Sequence, residues 1–140
     1  MGRSIWAIVF GLIVAIAWIF TLELVNRLVF PQLADVNLED REAVGRVFVD
    51  NPGMLLGLDL VYFISTFVGA WLGGRTAKRN HIVHGLIIGL LLFCTGIMNL
   101  QRFPHPIWFW IVCLATFPLA ALLGGWVASK NEVKPSPSLT

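Results

Sequence analysis

Charge is scarce in this chain. Only 13% of its 140 residues are Asp, Glu, Lys or Arg, and ten basic against eight acidic side chains leave a net charge of +2. So small an excess cannot hold a polyanion, and no nucleic-acid partner is expected. Two cysteines are too few for a disulfide scaffold or a thiolate zinc site. Cys94 and Cys113 are expected to act as small hydrophobes, the alternative being a single disulfide between neighbouring spans. No phosphate-binding glycine loop, nucleophile elbow or H-E-x-x-H motif occurs. His81 and His84 have no carboxylate or cysteine at ligand spacing and are expected to be solvated, while His105 stands apart from other ligands. No metal, cofactor or enzymatic activity is therefore expected.

Apolar side chains, by contrast, are abundant. They make up 57% of the chain before its 13 glycines are counted, and the mean hydropathy is +0.79. A chain this small cannot hide so much apolar surface in a water-soluble core, which excludes a soluble domain and a disordered one. Crossing the hydrocarbon core takes about 20 apolar residues as a helix. Residues 5–29, 54–74, 82–101 and 107–128 meet that length with few charges. Inside lipid a backbone must satisfy its own hydrogen bonds, so the spans are predicted to be helices. The alternation of a membrane β-barrel is missing. The first span could instead be a signal peptide, since Ala15-Ile16-Ala17 resembles a cleavage site. Against this, Trp18-Ile19-Phe20 continues the apolar run where a cleavage region turns polar. The expected fold class is an all-α membrane protein with four transmembrane helices.

Basic residues give the expected orientation. Arg75, Lys78 and Arg79 crowd the link between spans two and three, Lys130 and Lys134 follow span four, and Arg3 precedes span one. On the opposite side Arg41, Arg46 and Arg102 lie among five carboxylates. The positive-inside rule then puts both termini in the cytoplasm, in the cell (inner) membrane. Trp6, Trp71 and Trp126 would form the inner aromatic belt, with Trp108 and Trp110 on the outer one.

Residues 31–53 form the long outer loop. Asn37 followed by Asp40 reads as a helix start, and Ala43, Val44, Val47 and Phe48 make an apolar stripe at helical spacing. A short amphipathic helix on the outer interface is predicted there. Asn51-Pro52 reads as the cap and first position of span two. Residues 102–106 form a tight hairpin, and the Pro- and Ser-rich residues 131–140 a disordered cytoplasmic tail.

Spans two and four both end in A-x-L-G-G-x-x-A-x-[KR]-N, at residues 70–80 and 121–131. Two helical hairpins in parallel repeat would produce this echo, and so would helix packing and topology alone. Small residues recur at four-residue spacing: Gly11 with Ala7 and Ala15, Gly69 with Gly73, Gly85 with Gly89, and Gly124 with Ala120 and Ala128. Such stripes let helices approach closely, either within the chain or at an oligomer interface.

The later part of the chain carries Val68-Gly69-Ala70, Gly96-Ile97-Met98-Asn99, Pro104-His105-Pro106-Ile107-Trp108-Phe109 and Leu123-Gly124-Gly125. In these features it resembles an uncharacterised family of small bacterial four-helix integral membrane proteins. The resemblance implies the architecture and no activity. Relatives often carry a histidine in helix two and an aspartate in helix four, where the nearest positions here hold Tyr62 and Cys113.

Polar groups gather towards the outer half. Glu23 lies about 10 Å inside the end of span one, and Asp59 at similar depth in span two, at roughly 1.5 Å per residue. Asn26, Arg27, Tyr62 and Asn99 occupy neighbouring levels. Charges inside a span usually face the bundle interior or water. Glu23 and Arg27 stand at the spacing of an ion pair, and Asp59 would bond Asn99 or Arg27. One reading is an internal ion-pair network; the other is an outward-facing polar pocket lined by Glu23, Asn26, Arg27, Asp59, Tyr62 and Asn99. Function divides likewise. The first expectation is a non-enzymatic accessory protein whose partners are the lipid bilayer and a second copy or another membrane protein. The alternative is a small solute or ion transport module using Glu23 and Asp59. Small residues at one end and bulky ones at the other predict a wedge-shaped bundle.

Overall fold

The computed structural model describes residues 2–130, which contain helices and connections but no strand. Helix α1 (Gly2–Val29) leads through a single 3-10 turn (Pro31–Leu33) and a loop into α2 (Arg41–Asp50). Helices α3 (Pro52–Ala77), α4 (His81–Arg102) and α5 (Ile107–Lys130) follow. The four long helices, α1, α3, α4 and α5, are each long and apolar enough to cross a membrane, so the chain has the architecture of a multi-pass membrane protein. The tail expected at 131–140 lies outside the described residues.

The helix ends follow from local chemistry. The carboxylate of Asp40 accepts hydrogen bonds from the backbone N–H groups of Glu42 and Ala43, at 3.1 and 3.0 Å. Helix α2 therefore starts three residues beyond the predicted Asn37 cap. Asn37 spends its side chain on the N–H of Glu39 at 3.0 Å, closing a local turn instead. Pro52 opens α3, where its fixed φ and missing N–H suit the first position. Asn51 occupies the cap position, yet its amide donates to the carbonyl of Val47 at 2.9 Å and so closes α2.

The link between α3 and α4 takes two left-handed residues, Lys78 at φ 58° and Asn80 at φ 49°. His81 and His84 correct the sequence reading here, because both are buried rather than solvated. The Nδ1–H of His81 donates to the carbonyl of Gly74 at 2.7 Å, and that of His84 to the carbonyl of Asn80 at 3.0 Å. A carbonyl only accepts, so the proton sits on Nδ1 in both rings. The imidazoles thereby serve carbonyls around the α3–α4 link.

Helix α3 is central and touches α1, α4 and α5. Backbones meet closely at the basic end of the bundle. A Cβ on Gly69 would stand 2.7 Å from both the carbonyl oxygen of Gly11 and the methyl of Ala15. One on Gly85 would stand 3.0 Å from the carbonyl oxygen of Ala121, and one on Gly124 2.5 Å from that of Phe67. Gly73 faces Ile88 and the Ala7 carbonyl, while Gly89 faces Ala121. The two hairpins are not packed equivalently, since α4 touches α3 while α1 has no contact with α5. Towards the α2 end the core holds bulkier groups: Phe48, Leu55, Tyr62, Leu100, Phe109 and Phe117.

Candidate functional site

A cavity of about 370 Å³ opens at that end, among α1, α3, α4 and the segment containing α2. Its polar wall comes from α1, where Glu23, Asn26 and Arg27 repeat every three to four residues and so share one helix face with Phe30. Helix α3 contributes Leu55, Leu58 and Tyr62 at the same spacing, α4 contributes Asn99, and Phe103 follows directly after α4. Leu33, Leu38, Val44, Phe48 and His105 cover it from the loop side.

The amide of Asn99 donates to the Tyr62 hydroxyl oxygen at 2.7 Å. Tyr62 is only 6% exposed, and that bond leaves its own O–H proton to be donated elsewhere. Asn26 packs against Gly57, which has no Cβ to keep the amide away, and donates at 3.4 Å to the carbonyl of Met54. Glu23 and Arg27 make no direct ion pair or side-chain hydrogen bond among the described residues. The predicted ion pair is therefore corrected: the two side chains line the same face of α1 without closing on each other, and Arg27 acts on Glu23 through space.

Asp59 departs from the expectation. It does not line the cavity. Its Oδ2 accepts a hydrogen bond from the Thr116 hydroxyl of α5 at 3.0 Å, rather than from Asn99 or Arg27. Three residues separate Asp59 from Tyr62, which is about 60° around the helix axis. That rotation aims one side chain at α5 and the other into the cavity. The Thr116 hydroxyl also lies 3.0 Å from the carbonyl of Val112, so its one proton serves two acceptors. Asp59 Oδ1 is buried without a hydrogen-bond partner.

Two participants escaped the sequence reading. Thr116 was readable only as a hydroxyl in an apolar span opposite a span carrying Asp59. His105 is the other: its ring stacks on Phe48 at 4.7 Å and on Phe109 at 5.0 Å, joining α2 to α5 over the cavity. Its Nδ1–H donates to the carbonyl of Phe103 at 3.1 Å. Burial pushes the pKa of His105 below the ordinary histidine value, partly opposed by the backbone carbonyls of Phe103 and Leu100.

The cavity thus offers one carboxylate, one guanidinium, two amides, a phenol and an imidazole on apolar walls. Cys94 and Cys113 are free thiols, one exposed and one buried. Among the described residues no three metal-ligating side chains gather. No family model, curated protein or solved structure matches the chain.

Proposed function

We propose that the protein is a non-enzymatic accessory component of the cell (inner) membrane, with both termini cytoplasmic and an outward-facing polar cavity that receives a ligand. Kinship with the small bacterial four-helix family belongs to the same reading, as does a second copy or another membrane protein as partner. One observation carries it: Glu23 and Arg27 line a cavity of about 370 Å³, and among the described residues neither has a hydrogen bond or a close ion pair. A charge without a close partner inside a span is expensive, so the half-buried Glu23 calls for water or a ligand opposite it, while the exposed Arg27 lies in the last turn of α1. The volume lies near the lower end of the roughly 300–1,000 Å³ typical of ligand sites. At the basic end Gly11, Gly69, Gly73, Gly85, Gly89 and Gly124 sit against neighbouring helices, and a second cavity of about 360 Å³ beside Gly89 and Ala121 has only apolar or small lining residues. Cysteine accessibility tests the reading in a Cys94→Ser, Cys113→Ala background. Asn99→Cys should react with an impermeant thiol reagent from outside, and Gly124→Cys should stay inert from the cytoplasm. The reverse pattern refutes it.

A second reading, transport of a small solute or ion, draws on Asp59, whose buried Oδ1 has no partner. Transport would require one hairpin to rock against the other and part the close contacts at the basic end. Flux into proteoliposomes that Asp59→Asn or Glu23→Gln abolishes would favour it over the accessory reading.

A further inference from the structure

Three features of the cavity constrain what fits it. First, its charged groups are one anion and one cation, Glu23 and Arg27, both without a direct protein partner. A ligand with one net charge would bond directly to one of them and leave the other with only its through-space neighbour. A zwitterion satisfies both. Second, Tyr62 keeps an unspent O–H proton, and Asn99, having donated its N–H to Tyr62, keeps its carbonyl oxygen. Donors for an oxyanion are therefore Arg27 and Tyr62, and acceptors for an N–H cation are Glu23 and Asn99. Third, the remaining walls are Phe30, Leu33, Leu38, Phe48, Leu58 and Phe103, which suit hydrocarbon rather than a hydrated solute.

The position of the cavity identifies the source of that zwitterion. Helices α1 and α4 meet near the basic end, where Ile88 reaches Gly11 and Gly73. At the level of the cavity, Glu23 and Arg27 of α1 and Asn99 at the end of α4 line the same space. Residues of α2, the preceding loop and His105 complete the lining. Because α1, α3 and α4 are of membrane-spanning length, a cavity lined by all three at one end of the bundle lies near headgroup depth, where acyl chains stay in lipid while a headgroup enters.

Resting on the cavity reading above, we infer that the cavity binds the headgroup of a zwitterionic membrane lipid bearing a primary ammonium and a phosphate, as in phosphatidylethanolamine. The ammonium donates to Glu23 and Asn99, and the phosphate accepts from Arg27 and Tyr62. A quaternary ammonium carries no N–H and forfeits the first set of bonds, so phosphatidylcholine is the discriminating control.

The test is lipid competition on the full chain in detergent, with bound lipid counted by native mass spectrometry. Equimolar phosphatidylethanolamine and phosphatidylcholine should be retained in a ratio of about ten to one, the size expected of one charge-assisted hydrogen bond. Glu23→Gln should erase that preference and Glu23→Asp should keep part of it. Arg27→Gln should weaken retention of both lipids. Excess free phosphoethanolamine should fail to displace the bound lipid. Equal retention of the two lipids by the unmodified chain overturns the inference and needs no variant to show it. So does a preference that survives Glu23→Gln, or displacement by the free headgroup at matched concentration. Should Asn99→Cys react from outside while both lipids bind alike, the cavity reading stands and only the ligand class falls.

Discussion

At the scale of single residues, two side chains have an environment that chain order does not reveal. Asp59 and Thr116 are 57 positions apart and meet through one hydroxyl proton. Losing one partner of a buried pair costs more than replacing both, because the group left behind is desolvated without compensation. Thr116→Val should therefore destabilise the fold by about 1–3 kcal/mol. Asp59→Leu combined with Thr116→Val should cost less than Thr116→Val alone, and a double-mutant cycle of thermal melts in detergent measures the difference. Additive losses, with Asp59→Leu measured alone as the third corner of the cycle, would show that the bond carries no weight. His105 gives a pH signature. Its folded pKa lies below the ordinary value of 6.5 because burial between two phenyl rings disfavours the cation. The unfolded chain then binds more protons than the folded one in this region, so stability rises with pH there. The contribution is complete above pH 6.5 and declines as pH falls towards the folded pKa. His105→Phe should flatten the part of the melting-temperature profile below pH 6.5 that this residue supplies; an unchanged slope would place its origin elsewhere.

At the scale of elements, close packing and backbone strain predict opposite responses to small substitutions. Gly69 has a backbone carbonyl and a methyl 2.7 Å from where a Cβ would go, so Gly69→Ala must push α1 away from α3. Overpacking of this kind costs about 1–3 kcal/mol. Gly45 in α2 has only ordinary contact with Pro104, at 3.5 Å and beyond. Gly45→Ala there should stabilise by about 0.4–1 kcal/mol, by reducing the freedom of the unfolded chain. Lys78 holds a left-handed conformation at the end of α3, which costs a residue with a Cβ roughly 1–2 kcal/mol. Lys78→Gly should recover part of that, and an unfolding titration that ranks Lys78→Gly below the parent would contradict it. The long helices were legible in the sequence because each is a continuous apolar run, a signal that needs no tertiary information. The start of α2 was not, since Asn37 and Asp40 both suit a cap and only the local turn at Glu39 decides between them. The polar cluster was legible as a set of depths. Which members face the cavity depends on helix rotation, and that is how Glu23, Asn26, Arg27, Tyr62 and Asn99 came together while Asp59 turned to α5.

At the scale of the whole molecule, small side chains hold the helices together at one end and large ones leave space at the other. Interaxial distance follows the size of the side chains between helices, so this gradient is expected to spread the bundle towards α2. A void maintained in a protein this small has an energetic cost, because its walls lose van der Waals contacts that tighter packing would supply. If the cavity were only a packing defect, filling it would improve stability and change nothing else. If it is a site, filling it should improve stability and remove a binding property, the usual conflict between stability and function. Leu58 lines the cavity from α3 and is only partly buried, which leaves room for a larger ring. Leu58→Trp should raise the unfolding free energy by roughly 0.5–2 kcal/mol, the range seen for cavity-filling changes. The same variant should lose the preference for phosphatidylethanolamine over phosphatidylcholine, although Glu23 and Arg27 remain in place. Measured together, the two readouts separate the cases. Stabilisation with the lipid preference intact would mean that the headgroup binds somewhere other than this cavity, whereas stabilisation with the preference lost ties the cavity to the ligand it holds.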